Sequence, residues 1–94
     1  MINLVANEIT KLTKPANKDR SFLISTKFSA TASTRIAYTP DALSGGSGGF
    51  YIGTMTNVLV FVPAGEALFI VSDDVGPAGL AEIVGQPVNA VKLY

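Results

Sequence analysis

Residues 57–74 read NVLVFVPAGEALFIVSDD, and the fold turns on how this stretch is understood. Two apolar runs, Val58 to Val62 and Ala67 to Val71, flank Pro63-Ala64-Gly65-Glu66, whose Pro and Gly favour a turn. The pattern predicts a β-hairpin. Successive side chains of a strand point to opposite faces, so Val58, Val60 and Val62 line one face of the first run and Leu59 and Phe61 the other. In the second run Ala67, Phe69 and Val71 oppose Leu68 and Ile70. Neither face is polar, whereas a hairpin with one solvated side alternates apolar with polar residues. Both sides are therefore expected to be covered, by the rest of the chain or in part by a second subunit.

The composition agrees with extensive burial. Of 94 residues, 48% are hydrophobic and only 15% charged, against about 25% charged in an average soluble domain. A chain of this length forms one domain, residues 1–94, with a thin core. Net charge is zero but unevenly spread: Lys11, Lys14, Lys18, Arg20, Lys27 and Arg35 make residues 1–40 basic, and Asp41, Glu66, Asp73, Asp74 and Glu82 make the remainder acidic. Such halves either pair within one domain or steer one copy toward another.

Outward from residues 57–74, nearly every segment reads as strand or turn. Residues 1–14 suit an edge strand or an extended arm, ended by the turn formers of 14–19. Phe22, Ile24, Thr26 and Phe28 alternate with Leu23, Ser25, Lys27 and Ser29, which predicts a half-buried strand. Alternation resumes at Thr34 to Thr39 with Ile36 and Tyr38 on one side, and Pro40 to Leu43 suits a single helical turn. Residues 44–49 form a flexible Gly/Ser loop, after which Phe50 to Met55 begins a strand. Asp73 to Gly79 reads as a turn, Leu80 to Val84 as a strand or helical turn, and Val88 to Tyr94 as a last strand. Six to eight short strands separated by turns predict an all-β fold: a single antiparallel β-sandwich, jelly-roll-like.

Chemistry is sparse. Without His or Cys the commonest general base, thiolate nucleophiles and the usual zinc ligands are missing, so no catalytic residue, metal ligand or cofactor site is assigned. Adjacent Asp73 and Asp74 suit a turn better than a calcium site, which needs several oxygen donors. The glycine run lacks the Lys-Ser or Lys-Thr and the helix of a phosphate loop. Lys27 and Arg35 interleaved with Phe22, Phe28 and Tyr38 would suit a small barrel binding single-stranded nucleic acid, although zero net charge gives phosphates no general attraction. Tyr51 and Tyr94 would serve a carbohydrate-binding sandwich, which lacks Trp here. Apolar runs of about five residues fall far short of a membrane span, and the start of the chain lacks the basic region of a signal peptide. The expectation is synthesis in a cytoplasm.

Val62 to Ser72, VPAGEALFIVS, resembles small β-rich proteins of tailed-bacteriophage virions, especially capsid decoration or cement subunits. The resemblance implies a non-enzymatic, often oligomeric virion protein that binds copies of itself and the major capsid protein and reinforces the shell. The candidate interface residues are Leu59, Phe61, Leu68 and Ile70, or the opposite parity of the same runs, with Phe50 and Tyr51 beside the glycine loop.

Overall fold

The computed structural model describes residues 2–26, 33–45, 48–52, 57–74, 76–83 and 90–93. Among these the chain forms nine strands: β1 (Ile2–Leu4), β2 (Thr10–Thr13), β3 (Arg20–Thr26), β4 (Thr34–Ala37), β5 (Phe50–Tyr51), β6 (Asn57–Val62), β7 (Leu68–Ser72), β8 (Gly76–Ile83) and β9 (Val91–Lys92). They build a five-stranded sheet, β1-β8-β3-β6-β9, and a four-stranded sheet, β2-β7-β4-β5. All pairings are antiparallel except β6 with β9. The protein is an all-β sandwich.

The pairing follows a simple rule. β1 pairs β8, β2 pairs β7, β3 pairs β6 and β4 pairs β5, as if one long hairpin had been wound up. Each of these pairs joins a strand from the basic part of the sequence to one from the acidic part, so the two charge halves meet inside one domain. β5 and β9, of two residues each, raise the strand count above the six to eight expected.

The expected hairpin is not one. β6 lies in the five-stranded sheet and β7 in the four-stranded sheet, and Pro63 to Glu66 carries the chain across the gap between them. Consequently both apolar runs have an inner face. Val58, Val60 and Val62 from β6 meet Leu68 and Ile70 from β7 in one core with Phe22, Ile24, Ile36 and Ile52. Leu68 and Ile70, expected at an interface, are fully buried there, because crossing between sheets turns that parity of β7 inward.

The crossings are tied together where the ribbon places them side by side. The Gly65 N–H donates to the Ala16 carbonyl at 2.7 Å, and the Ala64 N–H donates to an Asp19 carboxylate oxygen at 2.8 Å. Between them lies buried Arg20, whose guanidinium donates to Thr13 Oγ1 and to the Glu66 carbonyl, both at 3.1 Å, and stacks 5.3 Å from the Phe22 ring centre. At the opposite end the Asn7 N–H donates to the Ser72 carbonyl, with Asn7 in the left-handed region (φ 63°) that Asn tolerates better than most residues.

Of the two alternatives for the start of the chain, the structure has the edge strand: residues 2–14 supply β1 and β2, one edge of each sheet. Asp73 to Gly79 also departs from expectation, since Gly76 to Gly79 already belongs to β8 and pairs with β1 and β3. Pro77 lies near the start of β8, opposite Asn3 of β1. The single turn at Pro40 forms as expected, with Leu43 and Ser44 N–H groups donating to the Pro40 carbonyl.

Candidate protein interface

The two sheets differ in what covers their outer faces. On the four-stranded sheet, Ala37 and Val71 pack under buried Leu43, with Ile9 and Phe69 beside them, in a second small core. Arg35 holds that cover down: its guanidinium donates to the Gly48 carbonyl at 2.6 Å and to the Leu43 carbonyl at 3.4 Å. Lys11 lies over the Phe69 ring, 5.7 Å from its centre. The middle of this face is covered by its own chain, while Tyr51, opposite Arg35 on edge strand β5, stays exposed.

The five-stranded sheet presents its outer face differently. Register places Ile83, Ser21, Phe61 and Lys92 in one row across β8, β3, β6 and β9, and Ala81, Leu23 and Leu59 in the next. Leu23, Leu59, Phe61 and Ile83 are half-buried and Ala81 is exposed. The only charge in these rows is Lys92, whose ammonium sits 5.5 Å from the centre of the Phe61 ring. The third row, Gly79, Ser25 and Asn57, is small and polar, with the Ser25 hydroxyl bonded to Asn57 Oδ1 at 3.0 Å.

A second apolar surface, more exposed, lies on the other layer. Phe50 and Tyr51 form edge strand β5 and are 37% and 60% exposed, among the largest apolar groups left in water. Of the six residues proposed from sequence, the structure therefore brings Leu59 and Phe61 together on one face, puts Phe50 and Tyr51 on a separate edge, and places Leu68 and Ile70 in the core. Leu23 and Ile83 join the face although sequence reasoning missed them. Their alternation was visible, but their nearness to Leu59 and Phe61 follows only from the β3–β6 and β3–β8 pairings.

A cleft of about 500 Å³ opens beside Phe61, lined also by Tyr38, Pro63, Glu66 and Lys92. Its Tyr38 hydroxyl is engaged by the backbone at Phe61 and Leu93, leaving Glu66 and Lys92 as its charged groups. Of the nucleic-acid set, Phe22 is core and Arg35 is the clamp just described, while Lys27 and Phe28 lie outside the described residues, as does Tyr94. Asp73 clasps the start of β4 to the end of β7: its carboxylate accepts the Ser33 N–H at 2.7 Å and its own N–H donates to the Ser33 carbonyl. No cluster of three or more His, Asp or Glu able to hold a metal occurs among the described residues. None of them forms a helix long and apolar enough to cross a membrane.

No protein-family model matches the chain, and neither curated proteins nor solved structures include one that matches it significantly.

Proposed function

We propose that the chain is a structural virion subunit, a capsid decoration or cement protein that stabilises contacts between shell subunits. One observation carries the reading: two separate apolar surfaces, the half-buried outer face at Leu59 and Phe61 and the exposed edge at Phe50 and Tyr51, lie on opposite layers of one small sandwich. A protein whose work is cohesion must hold two things at once, and two modest contacts held together bind far more tightly than either alone. Apolar burial contributes about 25 cal/mol per Å², offset by the entropy of association, so neither surface needs special side chains. A jelly-roll sandwich would suit a capsid protein but equally a lectin or a cupin, so the role is read from the surfaces rather than from the fold.

The test is addition of the purified protein to phage capsids that lack it. Co-sedimentation at a saturating ratio and a higher capsid rupture temperature are expected, both lost on Phe50→Ser/Tyr51→Ser. Capsids that neither bind the protein nor gain heat resistance would refute the role.

A further inference from the structure

We infer that the side of the sandwich between edge strands β5 and β9 binds an extended segment of a protein partner and takes one of its arginine side chains against Glu66. This does not depend on the virion reading, since the site asks only for that side chain.

Two adjoining cavities form the site. The cleft of about 500 Å³ at Phe61 and Lys92 and a smaller cavity of about 190 Å³ are both lined by Tyr38, Glu66 and Leu93. Leu93 follows β9, the last strand of one sheet, and the smaller cavity reaches across to Phe50 of β5, the last strand of the other. Sites for whole small molecules run from about 300 Å³ upward, so the smaller cavity suits a single side chain. The larger one has room for the backbone that carries it.

Glu66 sets the charge of that side chain. Among the described residues lining the smaller cavity, it is the one charged group. Its backbone is already engaged: the N–H donates to the Pro63 carbonyl and the carbonyl accepts from Arg20, both at 3.1 Å. What it has left to offer a ligand is its carboxylate. That group belongs to a half-buried residue and forms neither an ion pair nor a hydrogen bond with the described residues. A partly desolvated carboxylate without a counter-ion gains from a cationic donor, and a guanidinium can meet it with two parallel hydrogen bonds. Tyr38 and Phe50 line the same cavity, and stacking on aromatic rings favours arginine over lysine. Lys92 lines the larger cleft and not the smaller one, with its ammonium 5.5 Å from the Phe61 ring centre. It repels a second cation at that end and directs it toward Glu66.

Titration of the isotope-labelled protein with acetyl-Ala-Arg-Ala-amide at low ionic strength, followed by NMR, tests this. The backbone amides of Tyr38, Phe50, Glu66 and Leu93 are expected to shift with a Kd of about 1 mM. The same peptide with citrulline, the neutral isostere of arginine, should bind at least about five-fold more weakly, with the lysine peptide in between. Glu66→Gln should bring the arginine peptide to the citrulline level and leave the citrulline peptide unchanged. Should that variant not fold, the preference of the native protein for arginine over citrulline decides the matter. No shifts up to ~20 mM, shifts confined to another face, equal affinity for the arginine and citrulline peptides, or an undiminished arginine preference in folded Glu66→Gln would overturn the proposal. A protein that reinforces capsids but ignores the arginine peptide would overturn this site alone. One that binds the peptide but no capsid would overturn the cement role alone.

Discussion

Tyr38 and Leu93 fasten the two sheets at one corner. The Tyr38 hydroxyl, at the end of β4 in the four-stranded sheet, accepts the Leu93 backbone N–H at 3.1 Å and donates its own proton to the Phe61 carbonyl in the five-stranded sheet. Tyr38→Phe keeps the ring and removes both bonds. It should cost about 1–3 kcal/mol in urea unfolding and speed amide exchange at Leu93. Unchanged exchange at that amide would show that β9 is held by other means.

Thr34 and Ser72 form a second tie, inside the four-stranded sheet. Both are buried, and the Thr34 hydroxyl donates to Ser72 Oγ at 3.0 Å. Ser72→Ala should destabilise by about 1–3 kcal/mol, because it leaves the buried Thr34 hydroxyl without this partner, and Thr34→Val by less, because Ser72 Oγ still accepts the Asp74 N–H at 3.3 Å. The double variant should lose about 1 kcal/mol less than the two single losses together, measured by a denaturant double-mutant cycle.

Two glycines separate backbone strain from collision. Gly45 and Gly49 both have φ near +90°, but a Cβ at Gly45 would meet open space, whereas one at Gly49 would lie 2.6 Å from Leu43 Cδ2 and 2.9 Å from the Ile36 carbonyl oxygen. Gly45→Ala should lower stability by about 1 kcal/mol and Gly49→Ala by at least twice that. Similar melting temperatures for the two variants would contradict the packing of Leu43 onto the sheet.

Phe61 and Ile70 behave oppositely although both belong to the valine-rich stretch. Ile70 is fully buried, so Ile70→Asp puts a carboxylate into the core and should abolish the folded state in circular dichroism. Phe61→Asp should leave a folded protein with a modestly lower melting temperature. A folded Ile70→Asp variant would require a different inner face for β7.

The elements most legible in the sequence were those with strict alternation. Phe22, Ile24 and Thr26 are buried in β3 as their spacing predicts, and Ile36 is buried in β4. Phe28, at the end of the first pattern, lies outside the described residues. Non-local partners were less legible. Pro63-Ala64-Gly65-Glu66 has the same local chemistry whether it closes a hairpin or crosses between sheets, and the difference lies in residues 14–20 and in where β3 pairs. Glycine and proline at 76–79 signal a turn, yet Gly79 pairs with Ser25 in mid-strand, where a Cβ would make only ordinary contact, so the local residue types mislead. The two-sided apolarity of β6 and β7 was visible from the start. Which side stays bare depends on Leu43 and Arg35 closing one layer, and on the absence of a comparable cover among the described residues over Leu59.

Because β1 finds its partner in β8, Ile2 to Leu4 must wait until Gly76 to Ala78 have been made before their backbone groups are paired. Chains whose contacts span such long separations fold slowly, in roughly milliseconds to seconds, since loop closure precedes the reward. During synthesis the early strands therefore stand open to other nascent chains, and the speed at which residues 76–83 emerge sets how long that exposure lasts.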